Sequence, residues 1–238
     1  MKIISQTIRP WLWLCAIPFV AQAQFVFTTN NGAITISNCT NAFAFDGTLV
    51  IPDTINGLPV VGIDYYACSY KSITNVTIGR NVTNIGPYAF FSCQNLHTVS
   101  IPKSVASMGN SAFGACGGGS GGSGIAIFFE GDQPAMGFSV LNAGTMYYLP
   151  NTTGWEGADA VLWNPQAQTG DGNFGVRTNQ FGFNIVGTAD IPIVVEACAN
   201  FGSVWTPLQS VSLTNGSFHF SDLQWESHPS RLYRIRSP

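Results

Sequence analysis

Apolar residues recur through the middle of this chain in two interleaved patterns. Ile73-Thr-Asn-Val76-Thr-Ile78 and Leu96-His-Thr-Val99-Ser-Ile101 place apolar residues at the first, fourth and sixth positions. The first is followed by Val82-x-x-Ile85-x-x-x-Ala89-Phe90. The second is followed by Val105-x-x-Met108-x-x-x-Ala112-Phe113. Ile85 to Met108 is 23 residues, and so is Phe90 to Phe113. An earlier copy, Val60-x-x-Ile63-x-x-x-Ala67-Cys68, begins 22 residues before Val82.

A fixed period in the low twenties with this spacing predicts a leucine-rich solenoid. Each coil has a short strand whose apolar positions point inward, while Asn75, Thr77, Thr98 and Ser100 point outward. The chain turns at Gly79-Arg80-Asn81 and again at Pro102-Lys103-Ser104. The return segment then buries Val, Ile or Met, Ala and Phe, so Phe90 is expected to stack on Phe113. This amounts to about two and a half coils, close to the minimum at which neighbouring coils bury one another.

Around the repeats, residues 24–50 alternate (Phe25-Val-Phe27, Ile34-Thr-Ile36, Leu49-Val-Ile51), with turn signals at Asn30-Asn-Gly32 and Asp46-Gly47. Short strands capping the solenoid are expected there, because a terminal coil must cover an open core. The third coil breaks at Cys116-Gly-Gly-Gly-Ser-Gly-Gly-Ser-Gly124. No Gly-Lys-Ser/Thr follows that run, so it reads as a flexible insertion rather than a phosphate cradle. The core pattern resumes at Ile125-Ala-Ile127-Phe-Phe129. Tyr147, Trp155 and Trp163 are then expected to close the C-terminal end. Residues 166–173 are polar and turn-rich and read as a linker. Beyond them, alternating runs between Phe181 and Ile235, with a hairpin signal at Asn215-Gly216, predict a small antiparallel β-sandwich. The predicted division is a leader at 1–23, a solenoid with its caps at 24–165, a linker at 166–173 and a β module at 174–238.

Composition narrows the setting. Of 238 residues only 9% are charged, while Gly (26) and Pro (13) are abundant. That suits a β-rich protein with many turns and an uncharged polar surface. Lys2 and Arg9, the apolar run Trp11 to Val20 and Ala21-Gln22-Ala23 read as a secretory signal peptide cut before Gln24. Cleavage leaves 7 of the 9 basic residues against 12 acidic ones, a formal charge of −5. A basic stripe for nucleic acid is missing, and no further apolar run is long enough for a transmembrane helix. Export permits disulfides among Cys39, Cys68, Cys93, Cys116 and Cys198, but an odd number leaves at least one without an intrachain partner. Cys93 and Cys116 are expected to stack in consecutive coils, as buried thiols or as a disulfide.

The repeat block resembles the BspA-like leucine-rich repeat family of bacterial surface proteins. The resemblance rests on Ile51-Pro-Asp-Thr-Ile-Asn-Gly-Leu-Pro-Val60, Val82-Thr-Asn-Ile-Gly-Pro-Tyr-Ala-Phe90 and Ile101-Pro-Lys-Ser-Val105 through Ser111-Ala-Phe113, and covers about residues 45 to 131. Where the family pattern has Phe, the first coil has Cys68. The C-terminal part is similar to a β module at the ends of secreted proteins of Verrucomicrobia-type bacteria, on Val195-Glu-Ala-Cys-Ala-Asn200, Trp205-Thr-Pro-Leu208, Phe220-Ser-Asp222 and Arg231-Leu-Tyr-Arg234. The resemblance implies a secreted or surface-exposed, non-enzymatic protein that binds extracellular protein or adheres to it.

Catalytic and metal chemistry find little footing. His97, His219 and His228 share no local motif with Cys, Ser or a carboxylate, and metal ligation needs clustered ligands. Glu130 with Asp132 and Glu156 with Asp159 sit beside glycines in expected turns, and Asp171-Gly-Asn173 lacks the other ligands of a calcium loop. No cofactor is expected. Arg231, Arg234 and Arg236 form the one basic cluster, read as a solvated face with one arginine paired to a turn aspartate such as Asp222. A partner surface is expected on the outward positions Asn75, Thr77, His97, Thr98 and Ser100. The alternative is a carbohydrate-binding accessory protein using exposed, coplanar rings at Trp155, Trp163, Trp205 and Trp225.

Overall fold

A computed structural model describes residues 25–40, 47–118, 124–200, 203–228 and 230–238. The expected signal peptide, Asp46 and the middle of the glycine-rich run lie outside the described residues. Strands β1 (Phe25–Asn30) and β2 (Ala33–Cys39) form a hairpin. Asn31 and Gly32 turn it with positive φ of 51° and 75°, as a tight hairpin requires. The chain continues through β3 (Thr48–Val50), β4 (Thr54–Ile55), β5 (Leu58–Ile63), β6 (Asn75–Thr77) and β7 (Asn84–Ile85). Then follow β8 (Thr98–Ile101), β9 (Ser107–Met108), β10 (Ile125–Phe129), β11 (Ala135–Met136), β12 (Gly144–Tyr148) and β13 (Ala160–Leu162).

Each coil contributes one strand to each of two sheets. One runs β1-β2-β5-β7-β9-β11 and the other β3-β6-β8-β10-β12-β13. Apart from the β1–β2 hairpin and the short β4–β5 pair, the strands are parallel. In the second sheet Val76 pairs with Val99 and Val99 with Ile127. Inward residues therefore lie over inward residues, in one core that includes Ile34, Ile63, Leu96, Ile127 and Phe129. Phe90 stacks on Phe113 at 5.0 Å between ring centroids and 2° between planes, both fully buried.

The second sheet has six rungs, more than the two and a half coils expected. β3 is its first rung rather than a cap. Past the glycine-rich run, β10, β12 and β13 extend it. Gly124 and Gly144 permit that continuation, because a Cβ on either would collide with the backbone of the adjoining coil.

Cys39 and Cys68 form a disulfide across consecutive coils, with Cα atoms 4.9 Å apart, closing 29 residues of chain. This pairing of the terminal hairpin to the first full coil contributes on the order of 3 kcal/mol through loop closure. Cys93 and Cys116 are buried and free. The Cys93 thiol donates to the Cys68 carbonyl (3.2 Å) and that of Cys116 to the Phe90 carbonyl (3.0 Å). The neighbouring Cys93 sulfur, together with burial, pushes the Cys116 thiol up.

The C-terminal part is two antiparallel sheets. Its strands are β14 (Gln166–Gln168), β15 (Gly175–Arg177), β16 (Gln180–Val186), β17 (Pro192–Cys198), β18 (Thr206–Ser212), β19 (Ser217–Asp222) and β20 (Leu232–Arg236). β14 and β15 share one edge of β16 and β19 takes the other, while β17 lies between β18 and β20. The sheets enclose Phe183, Ile185, Ile193, Val195 and Phe220. Two sequence expectations change. The segment read as a linker begins with a strand, since Gln166–Gln168 pairs with β16. Asn215-Gly216 has the positive φ of a tight turn (55° and 76°), but it leads from β18 in one sheet to β19 in the other and so closes no hairpin.

Phe113→Ala should cost about 3–5 kcal/mol, because its ring supports Phe90 on the preceding coil. Urea unfolding of the two proteins measures it. A loss under about 1 kcal/mol, the size of a surface change, contradicts a continuous packed column.

Candidate functional site

Parallel register lines the outward residues of the second sheet into rows. One row runs Thr48, Asn75, Thr98, Ala126, Thr145. The other runs Val50, Thr77, Ser100, Phe128, Tyr147, Val161. The structure thus brings together four of the five expected site residues: Asn75 and Thr77 on β6, and Thr98 and Ser100 on β8. Asn75 and Thr77 are exposed; Thr98 and Ser100 are half-buried. The Asn75 side chain donates to the Thr74 hydroxyl (3.3 Å). His97 is exposed but precedes β8. Its backbone N–H donates to Thr74 and its carbonyl accepts from Ala126, which places it at the strand entrance beside the rows.

Across one rung the chemistry of this face changes. Phe128, next to Ser100, is 5% exposed although it lies on the outward side. It stacks on Tyr147 (4.8 Å, 13°) and meets Trp163 edge-on (6.3 Å). Tyr147, Val161 and Trp163 in turn pack against the core of the C-terminal sheets, and the Trp163 indole N–H donates to the Pro192 carbonyl (2.8 Å). Burial pushes the Tyr147 phenol up. The β module therefore sits on the aromatic half of the outward face and leaves the small polar half, on β6 and β8, beside it. Sequence reading missed this docking. The doubled aromatics Phe128-Phe129 and Tyr147-Tyr148 were its signal, because a strand buried on both faces loses its alternation.

The tryptophans do not make a sugar platform. Trp155 is 5% exposed, stacked on Tyr148 (5.3 Å) and tilted against Phe129 (4.8 Å). It belongs to the solenoid core, as a closing residue should. Trp163 lies under the module. The Arg234 guanidinium covers the half-buried Trp205 at 4.4 Å, and the Trp225 indole N–H donates to the Asn179 carbonyl (3.0 Å). These rings fill and brace the fold.

The three arginines are engaged by acids. Arg231 bonds Asp222 at 2.7 Å, which supplies the one arginine–aspartate pair expected from sequence, and Tyr233 donates to the same carboxylate oxygen at 2.8 Å. Arg234 and Arg236, read as solvated, instead grip the buried Glu196 from two sides, both at 2.6 Å. Burial opposes ionisation of Glu196, but hydrogen bonds from Arg236 and Arg234 outweigh it and hold its carboxyl below the usual range. Glu130, Asp132, Glu156 and Asp159 are exposed, and Asp132 accepts the Thr153 backbone N–H (2.7 Å). Asp171 accepts from the Asn173 backbone and the Asn184 side chain, which closes a turn. His219 bonds Asn184 across the strand pair, and His97 and His228 lie elsewhere on the surface. Among the described residues, no group of three or more His, Cys, Asp or Glu is placed to hold a metal.

A family model for leucine-rich repeats agrees with the coil geometry. Residues 61–119 match the BspA type Leucine rich repeat region (6 copies). The match begins within β5 and spans β6, β7, β8 and β9 with the turns between them. A leucine-rich repeat protein from Bacteroides capillosus is 25% identical over an alignment covering 38% of this chain and 70% of that chain, at a TM-score of 0.36. No curated protein matches the chain.

Glu196 generates a pH prediction. Its folded-state pKa lies below its unfolded value, so its stabilisation is complete above the ordinary carboxylate range and is lost as pH falls through the depressed value. Glu196→Gln should cost about 2 kcal/mol at neutral pH, a figure reduced by water around the half-exposed arginines. The gap between the two proteins should close in strong acid. Urea midpoints across that range decide it; a gap independent of pH contradicts the assignment.

Proposed function

We propose that this chain is a secreted or surface-exposed, non-enzymatic protein that binds another extracellular protein through the outward face of β6 and β8. The observation that carries this reading is the row structure: Asn75, Thr77, Thr98 and Ser100 stand in register, small and polar, beside a module that covers the aromatic continuation of the same face. None of the four belongs to the buried core of the coils. A regular array of hydroxyl and amide groups suits the backbone and polar edges of a partner, and its modest energy per contact suits repeated engagement on a surface. The match of residues 61–119 to a repeat associated with protein interaction supports the same reading. The leader-like N-terminus supports export, as does the disulfide between Cys39 and Cys68. Among the described residues, no helix is long and apolar enough to cross a membrane. The C-terminal part acts in this proposal as the structural neighbour of the binding face.

The test is binding of the chain from Gln24 to Pro238 to an array of extracellular proteins. Thr77→Lys with Ser100→Lys should weaken saturable binding by roughly tenfold or more, with the unfolding midpoint preserved because both positions face outward. Binding that persists in the double variant places the partner site elsewhere.

A further inference from the structure

A second surface remains unexplained, on the turns that follow the first sheet. Tyr65, Tyr66 and Tyr70 come from the turn after β5, and Tyr88 and Phe91 from the turn after β7. Tyr66 and Tyr88 stack at 4.9 Å with 5° between planes. Tyr65 stands edge-on to both, at 4.5 and 5.9 Å. Phe91 stands edge-on to Tyr66 (6.3 Å), Tyr88 (5.4 Å) and Tyr70 (5.7 Å). Unlike the Phe90–Phe113 column, this cluster faces water: Tyr65 is 58% exposed and Tyr70 66%, while the other three are half-buried.

The fold does not require these rings. Tyr66, Tyr70 and Tyr88 have φ of 54°, 57° and 56°, a region that bulky residues enter at a cost. The solenoid supplies its own control, because hydrogen bonds fix which residues are equivalent from coil to coil. Tyr66 bonds Pro87, Tyr88 bonds Asn110 and Ser111 bonds Phe138, so Ser111 occupies the position of Tyr66 and Tyr88. Tyr70 bonds Phe91 and Ser92 bonds Gly114, so Ser92 is the counterpart of Tyr70. Ser111 and Ser92 adopt the same backbone conformation, with φ of 51° and 59°. The turn therefore needs the conformation and not the tyrosine. Tyr70, exposed at a strained position where the next coil uses serine, belongs to the surface and not to the packing.

The chemistry of the surface indicates its ligand. Each tyrosine joins an apolar ring face to a hydroxyl that both donates and accepts. A sugar ring has the same division, with a C–H face and a rim of hydroxyls. The formal charges that adjoin these tyrosines along the chain are Asp64, whose carboxylate accepts the Tyr65 backbone N–H (2.7 Å), and Lys71. The repeats themselves carry Lys71, Arg80 and Lys103 as their basic residues between 60 and 131, too few and too scattered to hold a polyanion. We propose that this turn surface binds a neutral polysaccharide, with sugar rings laid on Tyr65 and Tyr70 and the Tyr66, Tyr88 and Phe91 rings bracing them. It shares no residue with the outward face of β6 and β8, and so stands or falls separately from the protein-binding proposal.

Affinity electrophoresis of the chain from Gln24 to Pro238 through neutral β-glucan, xylan and mannan, with anionic alginate as the charged control, tests it. Retardation by at least one neutral polysaccharide is expected. Tyr65→Ala with Tyr70→Ala should weaken it by roughly tenfold or more. Thermal unfolding should show the double variant folded, as expected for two exposed side chains, and Thr77→Lys with Ser100→Lys should leave retardation intact. The proposal is overturned if no neutral polysaccharide retards the protein, if alginate alone does so, or if retardation survives loss of both tyrosines in a folded protein. Loss of a protein ligand in the tyrosine variant, with no polysaccharide bound, makes the surface a protein-docking site and overturns it equally.

Discussion

The parallel hydrogen-bond ladder between coils is the constraint on which the rest of the structure depends. It sets every residue over its counterpart about one repeat along the chain, so a single choice of side chain becomes a column. Phe90 over Phe113 makes an aromatic column in the core. Cys39 beside Cys68 becomes a cross-coil disulfide. Tyr66 over Tyr88 makes a stacked pair in water. Thr77 beside Ser100 makes a polar row. None of these arises from contact between neighbours in sequence. A coil cannot bury its inner face alone, so the ladder that aligns the surface features also assembles the core.

The outward face of the second sheet is where the two halves of the chain meet. One of its rows passes from the hydroxyls of Thr77 and Ser100 to Phe128, Tyr147 and Val161 within one rung. An exposed aromatic strip of that kind would invite association, and the C-terminal module covers it. Trp163 fastens the contact, packing against the module's core and donating its N–H to Pro192. The module therefore defines how much of the sheet remains for a partner.

Legibility in the sequence followed the physics of alternation. Coils with one face inside and one face in water were readable: Ile73 to Ile78 and Leu96 to Ile101 showed both the strand and its two sides. Legibility failed where the second face is also covered. In Phe128-Phe129 and Tyr147-Tyr148 no polar residue marks the outward side, so β12 and β13 read as closing segments instead of rungs. It failed again at Gln166–Gln168, whose polar side chains resemble a linker although the backbone pairs with β16. The outward polar residues were found by period alone, whereas the tyrosine cluster was hidden, since rings from separate coils meet only after stacking. The arginines were half legible. An aspartate for one of the three could be named, though not which arginine it holds, and a buried Glu196 between Arg234 and Arg236 depends on the β17–β20 pairing.

Cysteine labelling measures the division of the outward face most directly. In a Cys198→Ser background, Thr77→Cys and Val161→Cys place thiols in the same outward row, four rungs apart in the sheet order. If the module covers the aromatic half and leaves the polar half open, a maleimide reagent should modify the exposed position 77 rapidly in the native protein and the half-buried position 161 much more slowly. Equal rates at the two positions would show that the module does not rest on this face, and the account of the binding surface would fail with it.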